Sequence, residues 1–347
     1  MHTVQSIIND VKSGKISPIY FLMGDEPYFI DQISTFFESN IVPVSSRGFD
    51  QTIIYGKDTN VDMLVSMAKR FPMASDLQLI IIKEAQNLSR TIEQLLSYSK
   101  NPQVTSILVF CYKYKLLDKR KALYKSLSKD FVVFESKRIY ESKIPSWISN
   151  QLLSTGFEIT PKASYLLCEY LGNDLTKIMN ELEKLRLILN DGTVINDELI
   201  EVNIGISKDF NNFELLSAIS NNNYKKAYQI VCYFSKNPSK HSIILTISVL
   251  YSFFVKVMKL HTFSSQDPKT VANKIGVNPY FLKDYNTAKN NFSMRQISRI
   301  FEILRDIDIR SKGVGSNSVS KDLYNELLII TALICFFPIA IFKYFLF

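Results

Sequence analysis

Pro18-Ile19-Tyr20-Phe21-Leu22-Met23-Gly24-Asp25-Glu26-Pro27-Tyr28 is the stretch from which the fold is read. Five apolar residues in a row, bounded by Pro18 and Gly24, have the length and flanks of a buried strand. Residues 28–39 then place Phe29, Ile33, Phe36 and Phe37 at helical spacing on one side. A strand that ends in glycine and leads into a helix invites a search for a phosphate-binding loop. Such a loop needs glycines for close backbone approach, then Lys and Ser/Thr to meet phosphate and magnesium. Here no G-K-[ST] follows Gly24. Asp25 and Glu26 put negative charge where a phosphate would sit, and Pro27 removes a backbone donor. The Gly24-Asp25-Glu26 turn is therefore expected to be a degenerate nucleotide loop.

Working outward, the same pattern recurs. Residues 52–55, 77–82, 106–110 and 131–134 are short apolar runs, and residues 61–69 form an amphipathic segment between the first two. Continuous apolar strands separated by helices predict a mostly parallel sheet covered on both faces, the doubly wound α/β arrangement. The third strand leads into Lys83-Glu84-Ala85, and a lone Glu84 is no magnesium motif.

After Tyr140 the strand pattern stops. Residues 144–153 read as a helix carrying Trp147, the single tryptophan. Thr160-Pro161 starts another, with Thr160 as N-cap and Pro161 in the first turn. Residues 174–189 keep Leu175, Ile178, Leu182, Leu185 and Leu189 at helical spacing, and Asn190-Asp191-Gly192 ends that segment. A short helix follows from Asn196. From Phe210 onward the chain reads as longer helices, among them 243–260, 294–310 and 321–334, with a Gly-containing link at 312–320. The expected organisation is an α/β domain over 1–140, a small helical domain over 141–208 and a larger helical domain over 209–347.

The chain has 347 residues, 46% hydrophobic and 21% charged, with a formal net charge of +8. That balance fits a soluble multidomain protein and favours acidic or phosphate-rich partners, but it does not choose between them. Cys111, Cys168, Cys232 and Cys335 are far apart in apolar surroundings, which predicts reduced thiols in a cytoplasmic protein. With His2, His241 and His261 they make no metal-ligand spacing, so no metal or cofactor is expected. Nor is there a G-x-S-x-G or a carboxylate cluster to propose for catalysis. The N-terminal residues carry Asp10 and Lys12 and no apolar core of a signal sequence. Residues 327–347 are almost wholly apolar and long enough to span a bilayer. Pro338 and Lys343 interrupt them, and a membrane anchor is not expected.

Two segments stand out as contact surfaces. The first is Arg70-Phe71-Pro72-Met73-Ala74-Ser75-Asp76, at the end of the second helix. Pro72 ends the helix and drives Phe71 to an extended conformation. On periodicity alone two readings stay open: Phe71 and Met73 close a core, or they face a partner. The second is 113–129, with Lys113, Lys115, Lys119, Arg120, Lys121, Lys125 and Lys129 against Asp118 alone. Either it is a solvated face, or it meets DNA phosphates or a neighbouring subunit.

These residues resemble a known family. Ile19-Tyr20-Phe21-Leu22-Met23-Gly24-Asp25-Glu26 is similar to the opening motif of the delta subunit of the bacterial DNA polymerase III clamp loader. Residues 70–76, followed by an apolar strand and Lys83, resemble the family's second hallmark. Leu117-Asp118-Lys119-Arg120-Lys121-Ala122-Leu123 and Leu171-Gly172-Asn173-Asp174-Leu175 are further matches, in order, between about residues 15 and 310. The resemblance implies an AAA+-like module without ATP hydrolysis of its own, a small helical lid and a C-terminal helical collar. It implies a subunit that binds and opens the sliding clamp in a hetero-pentameric loader acting on primer-template DNA. It assigns clamp binding to Phe71, Pro72, Met73 and Ala74. Lys69, Arg70, Lys119, Arg120, Lys121 and Lys125 are then candidate contacts to the clamp rim or to DNA. Ala74 departs from the pattern, because many relatives place Phe or Met there. Competing readings are an ATPase subunit of the loader, a membrane-tethered adaptor and a generic nucleic-acid-binding AAA+-like protein.

Overall fold

The computed structural model describes residues 2–263, 267–314 and 323–324. The chain forms two compact units, Met1–Tyr140 and Glu141–Phe347.

Unit one is built on five parallel strands: β1 (Ile19–Gly24), β2 (Gln51–Tyr55), β3 (Gln78–Lys83), β4 (Ser106–Lys113) and β5 (Val132–Ser136). Their order across the sheet is β2-β3-β4-β1-β5. Every residue of β1 is buried, because alternate side chains enter different cores. Ile19, Phe21 and Met23 pack with Leu64, Ala68, Leu123 and Leu127 on one face. Tyr20 and Leu22 pack with Ile7, Ile30, Ile33 and Phe37 on the other. Two covered faces are why the strands read as unbroken apolar runs. Burying each such side chain contributes roughly 1.5–3 kcal/mol. Along helix Pro27–Asn40 the fully buried positions are Ile30, Ile33 and Phe37, while Phe29 and Phe36 are half-buried against the same core.

Unit two is mainly helical, and its helix starts follow capping chemistry. Thr160 accepts from Ala163 N at 3.3 Å and Pro161 occupies the first turn of Pro161–Leu171. Asp174, Asn196 and Asn211 cap Leu175–Ile188, Asp197–Ile204 and Asn212–Ser220 in the same way. One expectation needs correction: strands do not stop at Tyr140. Glu158–Ile159 and Val194–Ile195 pair in parallel, and Thr160 N donates to Ile195 O at 2.9 Å. Two residues per strand are too few for any period to show.

Two helices that sequence did not single out, Pro268–Ile275 and Leu282–Asn291, complete the region before Met294–Ser311. Among the described residues, Ile243–His261 is the one helix long and apolar enough to cross a membrane. Its Ile247, Leu250, Phe253, Phe254 and Val257 instead sit in the helical core. The expected helix over 321–334 is described only at Leu323 and Tyr324, and most of the 312–320 link, Cys335 and the 327–347 tail lie outside the described residues. Burial pushes the Cys111 thiol up to about 12, which leaves it protonated and inert.

A buried acid inside unit two makes its stability pH-dependent. Glu169 of Pro161–Leu171 accepts from Asn212 N at 2.8 Å, at the start of Asn212–Ser220. Burial nevertheless pushes its carboxyl from 4.5 up to about 7, only partly offset by the Asn212 and Phe213 donors. Glu169 Oε2 and Asn212 Oδ1 are both buried acceptors without a hydrogen bond. A protonated carboxyl, or a glutamine amide, removes the cost of the buried charge. With its folded value raised, Glu169 favours the fold fully below about pH 4.5, and that contribution is lost as pH rises through about 7. Glu169→Gln is therefore expected to stabilise the protein by about 1–3 kcal/mol at pH 8 and to change little at pH 5. Thermal melts at the two pH values check this. An equal shift at both removes the buried-acid explanation.

Candidate interaction site

At the carboxyl end of β1 only Asp25 and Glu26 separate Gly24 from the helix Pro27–Asn40. The turn is drawn tight against β5: Asp25 N donates to Ser136 O at 3.0 Å and Ser136 Oγ donates to Glu26 O at 2.6 Å. The buried Glu26 carboxylate accepts from Tyr28 N at 3.3 Å and caps the helix. The positive end of this helix thus faces the chain's own carboxylate.

The ends of β3 and β4 meet the same fate. Lys113 Nζ lies 2.8 Å from Asp31 Oδ1 and 3.3 Å from Glu84 Oε1. Burial pulls the Lys113 ammonium down, but these carboxylates outweigh it and hold it above its ordinary value. In open α/β sheets ligands bind in the crevice beyond the carboxyl ends of the strands. Here an internal ion cluster stands beside that position.

The second feature lies between helix Val61–Ala68 and β3. The helix is capped by Asn60, whose Oδ1 accepts from Met63 N at 2.8 Å, and buries Val61, Leu64 and Ala68. Beyond Ala68 the chain turns outward. Phe71 is 73% exposed and Met73 is 81% exposed. Ala74 is also exposed and Pro72 half-exposed, so these residues close no core. Lys69 and Arg70 are exposed beside them.

The loop nevertheless has a defined shape, and its anchor is a residue the sequence reading missed. Asp50, 2% exposed, accepts from Met73 N at 2.6 Å and from Ala74 N at 2.7 Å. The Ser75 hydroxyl is 2.9 Å from Asp50 Oδ2, and Ser46 Oγ donates to Ala74 O at 3.0 Å. Burial alone would push the Asp50 carboxyl up. The loop's N–H groups and the Ser75 hydroxyl outweigh that and hold it below the usual carboxylate value. An Asp just before an edge strand carries no local signal of this role.

The basic stretch is more compensated than its composition indicates. Lys119 pairs with Glu135 at 2.8 Å, Arg120 with Asp118 at 2.9 Å and Lys121 with Glu93 at 3.5 Å. The Arg120 fork holds the Asp118 carboxyl down to about 2. Lys125 forms none of these pairs. Exposed ion pairs are each worth about 0–1 kcal/mol and exchange readily for phosphate. Among the described residues no three His, Cys, Asp or Glu side chains group to hold a metal.

Comparison with known proteins gives these matches. The family model described as "DNA polymerase III, delta subunit" matches residues 20–137, and that described as "DNA polymerase III delta subunit, C-terminal domain" matches residues 209–332. The DNA polymerase III subunit delta of Bacillus subtilis is 22% identical over 341 residues, covering 95% of this chain and 97% of that protein. Among solved structures, the Bacillus subtilis DNA clamp loader delta protein superposes with a TM-score of 0.54 at 22% identity, covering 95% of this chain and 99% of that one. The RuvB Holliday junction branch migration motor of Thermotoga maritima gives a TM-score of 0.34 at 10% identity, over 82% of this chain and 85% of that one.

Proposed function

The chain belongs to the DNA polymerase III delta-subunit family, and we propose that it is the member of a clamp loader that grips and opens the sliding clamp. The observation that carries this reading is the exposure of Phe71 and Met73 on a loop whose backbone is tied down by Asp50. Leaving two such side chains in water forgoes roughly 1.5–3 kcal/mol each. A partner with an apolar pocket recovers it. Pro72 stiffens the loop, Met73 adapts to an irregular pocket, and Ala74 adds little area. Lys69 and Arg70 beside them favour encounter with an acidic rim.

Opening follows from binding if the pocket is better formed in the open clamp than in the closed one. A ligand shifts such an equilibrium only by its differential affinity for the two states. On this reading the chain contributes no hydrolysis of its own, which the carboxylate of Glu26 at the turn after β1 and the Lys113 ion cluster nearby support. The energy for the cycle then comes from ATPase neighbours in a hetero-pentamer, assembled in the cytoplasm through the collar. The small helical region 141–208 is its lid. Primer-template DNA is met through the 113–129 face, with the exposed Lys125 and Lys129 offered to phosphate and Lys119, Arg120 and Lys121 exchanging their carboxylate partners.

Pull-down of the sliding clamp from the same organism tests the central claim. The wild-type chain is expected to capture it and a Phe71→Ala/Met73→Asp variant to lose it; equal capture removes the site. Calorimetric titration of the isolated chain with magnesium and ATP is expected to give no saturable heat below about 1 mM, and micromolar binding overturns the non-catalytic reading.

A further inference from the structure

We propose that Asp50 is a positioning residue for clamp binding: its carboxylate holds the 71–75 loop in the shape the clamp accepts before the clamp arrives. The inference rests on the reading of Phe71 and Met73 as clamp anchors.

The loop between Ala68 and β3 has no regular secondary structure to order it. Its two large side chains project into solvent and give it no core contacts. Within 71–75 order therefore comes from polar contacts, and the groups that meet Asp50 belong to three successive residues, Met73, Ala74 and Ser75, whose hydroxyl also lies 2.8 Å from Leu77 O. A buried carboxylate is costly unless fully hydrogen-bonded, and donors to a charged acceptor make the stronger class of bond. Ser46, from the same segment as Asp50, fixes Ala74 O from the other side. The segment just before β2 thus clasps the loop that precedes β3, and the β2–β3 pairing from Gln51 to Leu79 sets the two side by side.

Preorganisation has a kinetic signature. If only a fraction of molecules holds the competent loop, apparent affinity falls by that fraction while the bound contacts stay the same. Asp50→Asn keeps the size and one acceptor oxygen but turns an amide against the loop's N–H groups. Ser75→Ala removes the hydroxyl alone.

The experiment is surface-plasmon-resonance kinetics of the full chain binding the clamp, with hydrogen exchange on the same variants. Asp50→Asn is expected to slow association about tenfold with dissociation changed less than about twofold. Exchange at the Met73 and Ala74 amides is expected to rise at least about tenfold, while β3 amides keep wild-type protection. Ser75→Ala is expected to fall between wild type and Asp50→Asn. A purely structural role would lower the active fraction or loosen β3 without changing the association rate of folded molecules, and that result overturns the proposal. Wild-type rates in both variants also overturn it. Wild-type binding by the Phe71→Ala/Met73→Asp variant removes the anchor reading itself, which separates the two failures. If Asp50→Asn does not fold, Ser75→Ala decides: unchanged association and exchange there count against the proposal.

Discussion

Combining Phe71→Ala with Met73→Asp lowers affinity for the sliding clamp by roughly a hundredfold or more. The apolar area withdrawn from the contact is worth roughly 1.5–3 kcal/mol per side chain. The new aspartate also has to be desolvated against an apolar pocket, which costs more than the lost methionine contributed. Truncations at the centre of an interface reach about 2–4 kcal/mol each, and each 1.4 kcal/mol is about a tenfold change. The same variant is expected to melt within about 1–2 °C of wild type. Phe71 and Met73 are 73% and 81% exposed, so the folded chain loses almost no buried area. Titration with fluorescent clamp and a thermal melt give the two numbers together. Lost binding with an unchanged melt is the expected pair. Lost binding with a collapsed melt would mean that the loop supports the fold, contrary to its exposure. Because Ala74 presents only a methyl group, its replacement should matter far less than that of Met73.

Gly24→Ala is expected to cost the largest share of stability of any single methyl addition in unit one, about 3 kcal/mol or more. Gly24 has φ of 131°, a region essentially confined to glycine. A Cβ there would lie 2.0 Å from Ser136 O, and that atom is backbone on the paired strand β5. Neither side can yield easily, since Ser136 O also accepts from Asp25 N. The β1–β5 pairing and the tight Asp25-Glu26 turn are lost together. Gly14→Ala is a useful comparison. Its φ is 80° but nothing lies within 4 Å of the added carbon, so only the left-handed backbone penalty of about 1–2 kcal/mol applies. Denaturant unfolding of both variants measures the difference. A Gly24→Ala protein as stable as Gly14→Ala would show that the turn relaxes freely.

Much of this chain could be read without coordinates, for physical reasons that differ by element. The strands at 19–24, 78–83 and 106–113 are legible because both faces of a central parallel strand are buried, leaving no polar positions to blur the signal. The helix starts at Pro161, Leu175 and Asp197 are legible because an N-cap acts on its own next residues. The helix Leu282–Asn291 was not legible: beyond Leu282, Ala288 and the partly buried Tyr285 it is polar, so its apolar stripe is too thin to stand out. In the basic stretch, the charges of Lys119 and Lys121 were plain, but their partners Glu135 and Glu93 come from elsewhere in the chain.

The sequence by itself determined the parallel α/β core, the helical remainder and the lack of a G-K-[ST] motif after Gly24. Each of these depends on residue types within a few positions of one another, where periodicity and local sterics act. Only the tertiary structure decided that Phe71 and Met73 face solvent, that Asp50 ties down their loop from more than twenty positions upstream, and that Lys113 meets Asp31 and Glu84 beyond the ends of the strands. Exposure and long-range hydrogen bonds are set by which distant segments the packed sheet brings together, and that leaves no repeating trace in the chain.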